Sequence, residues 1–335
     1  FKQKTAYEIG VRLVGSEMCI RDSGYIGSHV VLELCNSGYQ VVVLDDLSNG
    51  NQNSIDERAE FFWGSTLVKE DVEKALNNVD AVIHLAAFKA AGESMTNPIK
   101  YSQNNINGTI ALLNSMIEKE IKYFIFSSTA AVYGNPNYLP IDEKHPLNPI
   151  NFYGFTKLEI ERILDWYGKI TDLKFANLRY FNAAGHDPSS KISHIEKDPE
   201  NLIPIVMEVA SGKREKVKIF GNDYNTNDGT GCRDYIHVTD LAIAHIKSFE
   251  YLKNHNNITL NLATGDSYSV LEIINMTKEI SNKDINYEFV ERRDGDVEEL
   301  YAKSSMAYDL LDWKPKYSKL KSILQTSWSV YSKNI

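Results

Sequence analysis

The chain is poor in cysteine, in basic charge and in long apolar runs, and each shortage narrows what it can be. Three cysteines in 335 residues, Cys19, Cys35 and Cys232, stand far apart with neither metal-type nor redox-type spacing. A disulfide framework is therefore not expected, and reduced thiols point to an intracellular, cytoplasmic protein. No His/Cys/Asp cluster has ligand spacing, so no metal is expected, and His237 in Ile-His-Val reads as a packed strand residue. No apolar run approaches the roughly 18 residues of a membrane-spanning helix. The N-terminus shows no apolar core followed by a small-residue cleavage site, so no secretory signal is expected. With 36 basic against 45 acidic side chains the net charge is −9, which argues against nucleic acid as a partner. An anionic ligand must then rely on local arginines rather than on the overall field. No internal repeat or low-complexity tract is visible. What remains is an ordinary globular composition, 43% hydrophobic and 24% charged, long enough for about two domains.

Short apolar runs alternate with helical patterns through the first two-thirds. Val41–Leu44, Ala81–Leu85, Tyr123–Phe126 and Phe175–Tyr180 read as strands. Ile26–Ser37, Val68–Asn77, Asn104–Lys119 and Phe152–Tyr167 read as helices between them. That order implies βαβ units on a parallel sheet covered on both faces, since the strands are continuous apolar runs. From about Asn182 the loops become long and polar, as in 185–200 and 221–231, which marks a smaller part closing over a ligand.

Ser23-Gly-Tyr-Ile-Gly27 opens an amphipathic helix, where bare backbone N–H groups suit a pyrophosphate. A tight turn alone would look the same. Asp45, 18 residues after Gly27 at the tip of the next strand, matches the ribose-hydroxyl acceptor of dinucleotide folds and favours NAD over NADP. Upstream the pattern breaks. Glu17–Asp22 does not read as a strand, Arg21 stands where a first glycine is expected, and Val11–Val14 lies too far from Gly24. Residues 1–22 are therefore expected to be a non-native segment. Farther on, Tyr153 and Lys157 lie four apart on a helix, so an ammonium on the same face can lower a phenol's pKa. Ser127-Ser128-Thr129 ends a strand upstream, where hydroxyls face the ligand crevice of a parallel sheet.

These elements, in this order, resemble the extended short-chain dehydrogenase/reductase family, and from about residue 24 to residue 330 its nucleotide-sugar epimerases in particular. Supporting segments are Lys89-Ala-Ala-Gly-Glu-Ser94, Asn104-Asn-Ile-Asn-Gly-Thr109, Ala131-Val-Tyr-Gly134, Leu178–Gly185, Ile219–Tyr224, Asp228–Val238 and Arg292–Asp296. The resemblance implies a Rossmann-like, doubly wound α/β domain over 23–182 and a smaller C-terminal α/β substrate-binding domain over 183–335. It implies reversible C4 epimerisation of UDP-galactose and UDP-glucose through a transient 4-keto sugar, with tightly held NAD, in a homodimer. Tyr153 would be the acid/base, Lys157 its tuner and ribose ligand, and Thr129 the catalytic hydroxyl. Gly24, Tyr25, Ile26, Gly27, Asp45, Asp46, Asn49, Lys89, Asn104 and Tyr180 would contact NAD. Asn182, Asn201, Leu202, Ile219, Phe220, Arg233, Tyr235, Arg293 and Asp296 would hold the UDP-sugar, and Leu300 would face its 2-substituent.

Two departures stand out: Ser65-Thr66 replaces the Asp usual beside the adenine, and the first strand and glycine are missing. The nearest rival, a 4,6-dehydratase, needs an acid–base pair after the Thr. Ala130 and Ala131 cannot serve there. A uronate epimerase or decarboxylase is less easily set aside, and a non-catalytic NAD-dependent sensor would have no need of Tyr153 and Lys157.

Overall fold

The computed structural model describes residues 17–21, 24–48, 50–293 and 295–334. In the N-terminal half the strands are β1 (Glu17–Arg21), β2 (Gln40–Asp45), β3 (Glu60–Trp63), β4 (Ala81–His84), β5 (Tyr123–Ser127) and β6 (Lys174–Tyr180). Then come β7 (Asn182–Ala184), β8 (Val217–Phe220), β9 (Cys232–Arg233), β10 (Tyr235–His237) and β11 (Ile258–Leu262). Last are β12 (Tyr268–Ser269), β13 (Tyr287–Val290) and β14 (Glu299–Leu300). Seven strands form one parallel sheet in the order β11-β6-β5-β4-β1-β2-β3. β11 thus comes back from the C-terminal half to complete the sheet.

Contrary to the expectation from its sequence, the segment ahead of Gly24 supplies a strand of the sheet. Glu17–Arg21 is a strand, and it occupies the centre of the sheet between β2 and β4. Met18, Cys19 and Ile20 are buried, and three apolar residues suffice for a slot covered on both faces. The helix Tyr25–Asn36 begins four residues after the strand ends.

Alternation along each strand splits the core in two. Met18, Ile20, Val41, Val43 and Ile83 pack with the helices Tyr25–Asn36 and Val238–Leu252. Cys19, Val42, Leu44, Val82, Phe124 and Phe126 face the opposite way, onto the helices Gly108–Glu118 and Phe152–Ile170. A third cluster joins the helices Leu202–Ala210, Val270–Ser281 and Leu320–Tyr331. A fourth, smaller one lies under the turn after β5 and includes Ala130, Val132, Tyr133, Leu158 and Ala302.

Gly134 shows why that turn needs its glycine. Its φ is +67°, and a Cβ there would sit 1.9 Å from the Asn148 carbonyl oxygen. Gly134→Ala is therefore expected to destabilise the protein by roughly 1–3 kcal/mol or more, read as a fall in the denaturant midpoint with an unchanged slope.

Four of the buried histidines are pushed well below the usual imidazole range. Burial lowers His29 to about 4, His186 to about 3, His237 to about 3 and His245 to about 4. The unfolded chain binds these protons near pH 6.5, so protonation favours unfolding. Stability should fall as the pH drops below about 6.5 and keep falling toward 4. Asp234, raised by burial to about 6, and the carboxyls of Glu33, Glu143, Asp165 and Asp240, which burial also raises, oppose this. Melting temperature measured between pH 7 and 4.5 checks the sign.

Candidate active site

The carboxyl ends of the central strands carry the chemistry. β5 ends at Ser127, and Thr129 caps the short turn Ala130–Val132, its hydroxyl oxygen accepting from Ala131 N at 3.1 Å. The Thr129 hydroxyl is also hydrogen-bonded to the phenol of Tyr153. Asn151 caps the helix Phe152–Ile170 by accepting from Gly154 N at 2.8 Å, which fixes where its first turn points. One turn on, Lys157 is buried. Its Nζ donates to the Ser127 carbonyl at 2.7 Å and stands 4.7 Å from the centroid of the Phe126 ring. The three expected catalytic side chains are thus brought together from one strand end and one helix.

Burial pushes Tyr153 above its usual value, and the Thr129 hydrogen bond only partly offsets this. Desolvation outweighs the hydroxyl's contribution, so positive charge must be added at the site before the phenol can act as a base.

The cofactor-side residues gather around the starts of two helices. Gly24 caps the Tyr25–Asn36 helix without a side-chain hydrogen bond, and its first turn holds no acidic residue. Asp45, buried at the tip of β2, accepts from Leu47 N at 2.5 Å, and Asp46 accepts from Ser48 N at 2.9 Å. Asn49 lies outside the described residues. The Tyr25 hydroxyl donates to the Gly185 carbonyl at 2.5 Å, and its own carbonyl is bonded by Ser28 Oγ and His29 Nδ1. Lys89 is half in solvent and pairs with Glu196 at 3.1 Å, and the Asn104 amide donates to Asn105 at 3.0 Å. Tyr180 closes β6 beside the His245 ring.

Several neighbours were not foreseen. The Asn105 amide bonds both backbone groups of Phe88 and the Thr156 hydroxyl, tying the Phe152–Ile170 helix to the 88–94 segment. Ser94 accepts from Tyr153 N at 3.1 Å. Asn104 and Asn105 lie in a π-helical stretch, Ser102–Asn107, a widened turn frequent at functional sites. Beside Ser65, the Asp71 carboxylate reaches back to accept from Ser65 N at 3.1 Å, and a Cβ added at Gly64 would lie 2.8 Å from the Asp71 side chain. A carboxylate therefore stands at this loop after all, supplied by a helix.

The sugar-nucleotide side is only partly assembled as expected. Arg233 on β9 stands 3.5 Å from Asp296 and pairs in register with Leu300 on β14. Leu300 in turn packs on the cluster beneath the Thr129 turn. The Arg293 guanidinium stacks 3.6 Å from the centre of the Phe220 ring. The Asn182 amide donates to the Asp234 carbonyl at 2.9 Å. Asn201 is exposed at the start of the Leu202–Ala210 helix, and Leu202 packs partly into the third core cluster. The side chains of Ile219 and Tyr235 are buried in that core. Among the described residues there is no group of three or more His, Cys, Asp or Glu placed to hold a metal.

A family model described as the NAD dependent epimerase/dehydratase family matches residues 22–263. The chain belongs to that family. It is 43% identical over 310 residues to a UDP-glucose 4-epimerase of Halalkalibacterium halodurans, covering 92% of each chain. Among solved structures it is similar to a UDP-glucose 4-epimerase from Brucella ovis in complex with NAD, with a TM-score of 0.91 and 37% identity over 94% of this chain and 98% of that one. It is also similar to the Bifidobacterium longum UDP-glucose 4-epimerase in complex with NAD+ and UDP, with a TM-score of 0.88 and 36% identity over 95% and 99%.

The residues present suit the family's cofactor. A helix start capped by glycine, with no acidic side chain in its first turn, suits a diphosphate. The Asp45 carboxylate suits a ribose diol and would repel a 2′-phosphate, which favours NAD. No helix among the described residues is long and apolar enough to cross a membrane.

Proposed function

We propose that the chain interconverts UDP-galactose and UDP-glucose by inverting C4, with NAD held between the Tyr25–Asn36 helix and the β5 end. The observation that carries this reading is Tyr153, hydrogen-bonded to Thr129 and one helical turn from a buried Lys157, at the carboxyl edge of a parallel sheet. Bound NAD supplies the hydride acceptor and donor. Tyr153 takes the proton of the sugar 4-hydroxyl and later returns it to the opposite carbinol. Lys157 and the positive charge of oxidised NAD would together favour the phenolate, and the Lys157 Nζ is kept in place by the Ser127 carbonyl. Thr129 holds the phenol's direction and would hydrogen-bond the same sugar oxygen.

For the nucleotide, Arg233 and Arg293 would supply charge-assisted donors to the diphosphate, and Asp296 would accept ribose hydroxyls. Firm anchoring there lets the sugar turn while the nucleotide stays still. We read the protein as cytoplasmic and homodimeric. Met95 and Ile99 are exposed, and so are Phe155 and Ile117 on the two helices expected to pair across a two-fold axis.

A coupled assay tests the proposal: UDP-galactose is supplied and UDP-glucose is read out, with and without added NAD+. Turnover supports the reading. NAD binding without conversion of UDP-galactose would overturn it in favour of another nucleotide sugar.

A further inference from the structure

Tyr153, Lys157 and Glu161 lie four residues apart in succession, hence on one face of their helix. Three consecutive residues at the end of β5 meet them one by one. Thr129 bonds Tyr153, and the Ser127 carbonyl accepts from Lys157 at 2.7 Å. The Ser128 hydroxyl donates to Glu161 Oε1 at 2.5 Å. This third contact has its own anchor. Arg179 on β6, next to Tyr180, donates Nε and Nη2 to the Glu161 carboxylate at 2.5 to 3.2 Å. Its Nη1 donates to the Tyr133 hydroxyl at 3.1 Å, and that hydroxyl donates to Asn261 at 2.6 Å.

Both charges are almost wholly out of water, with side-chain exposures of 6% for Arg179 and 4% for Glu161. A buried ion pair is a poor way to gain stability, since apolar side chains of the same volume do as well or better. What it does supply is direction: a carboxylate held by a planar fork has one orientation.

We propose that Glu161, clamped by Arg179, is a positioning residue for proton transfer. By holding Ser128 it fixes the two residues on either side, so that the Ser127 carbonyl meets Lys157 and the Thr129 hydroxyl meets Tyr153. The proposal rests on the epimerase reading above.

Ser128→Ala removes the contact and leaves the Glu161–Arg179 pair intact. Its kcat should fall on the order of 10- to 100-fold, as for a small misplacement of reacting groups. KM for UDP-galactose and NAD content should stay within about two-fold of the unmodified protein. Joint Glu161→Met and Arg179→Met replacement should give a folded protein with the same fall. A Ser128→Ala protein with unmodified kcat, or one whose loss lies in KM alone, overturns the proposal. If the unmodified chain does not turn over UDP-galactose, the epimerase reading is what fails. The positioning claim is then decided by a crystal structure of Ser128→Ala: displaced Thr129–Tyr153 and Ser127–Lys157 contacts support it, and contacts left in place overturn it.

Discussion

Tyr153→Phe is expected to lower kcat for UDP-galactose by about 10²- to 10⁴-fold while NAD and UDP still bind, the range general acid–base catalysis contributes. The ring keeps its place in this variant because only the hydroxyl is lost, and the helix cap at Asn151 and the Ser94 contact are made by backbone groups. Thr129 loses one partner and keeps its role as the cap of the Ala130–Val132 turn. Because burial pushes the phenol up, the charge on Lys157 has a definite task. Any variant that neutralises Lys157 should move the basic requirement of the reaction to higher pH. Initial rates with bound-NAD absorbance as a loading control check the Tyr153 result. A variant retaining more than about a tenth of the activity would mean that another group moves the proton.

Arg179→Met is expected to give the largest loss of stability, about 3–5 kcal/mol, because it strands the Glu161 carboxylate in the core with the Ser128 hydroxyl as its remaining partner. The Coulomb partner and three fork hydrogen bonds vanish together. Denaturant unfolding should show the midpoint falling at unchanged slope. Replacing Glu161 by Met as well removes the stranded charge, so most of the stability should return. If the single variant is as stable as the unmodified protein, the carboxylate must find solvent or a proton at little cost.

Much of this architecture is legible from the sequence. Apolar runs such as Val41–Leu44 and Phe124–Phe126 announce buried parallel strands, and the Tyr153–Lys157 spacing places two functional groups on one helical face. What was illegible has physical causes. β1 was missed because Glu17 and Arg21 leave only three apolar residues between them, too few to show a period. Asp71 and Asn105 act across loops, so no local spacing reveals that they bind Ser65, Phe88 and Thr156. Ile219 on the alternating strand β8 and Tyr235 on the wholly buried strand β10 both turn into the third core cluster, which residue type alone does not reveal. Glu161 was readable in principle, since it continues the stripe of Tyr153 and Lys157 by one more turn. Its partner Arg179 was not, because a charged residue inside an apolar strand reads as an interruption until the facing carboxylate is known.

The central claim is that one pocket removes the C4 hydrogen and returns it to the opposite face, with Tyr153 moving only the hydroxyl proton. UDP-galactose carrying deuterium at C4 tests it directly. Converted in ordinary water and followed by NMR, the UDP-glucose product should keep its deuterium at C4. Hydrogen from the solvent at C4 would contradict the account, because inversion would then run by proton loss at carbon.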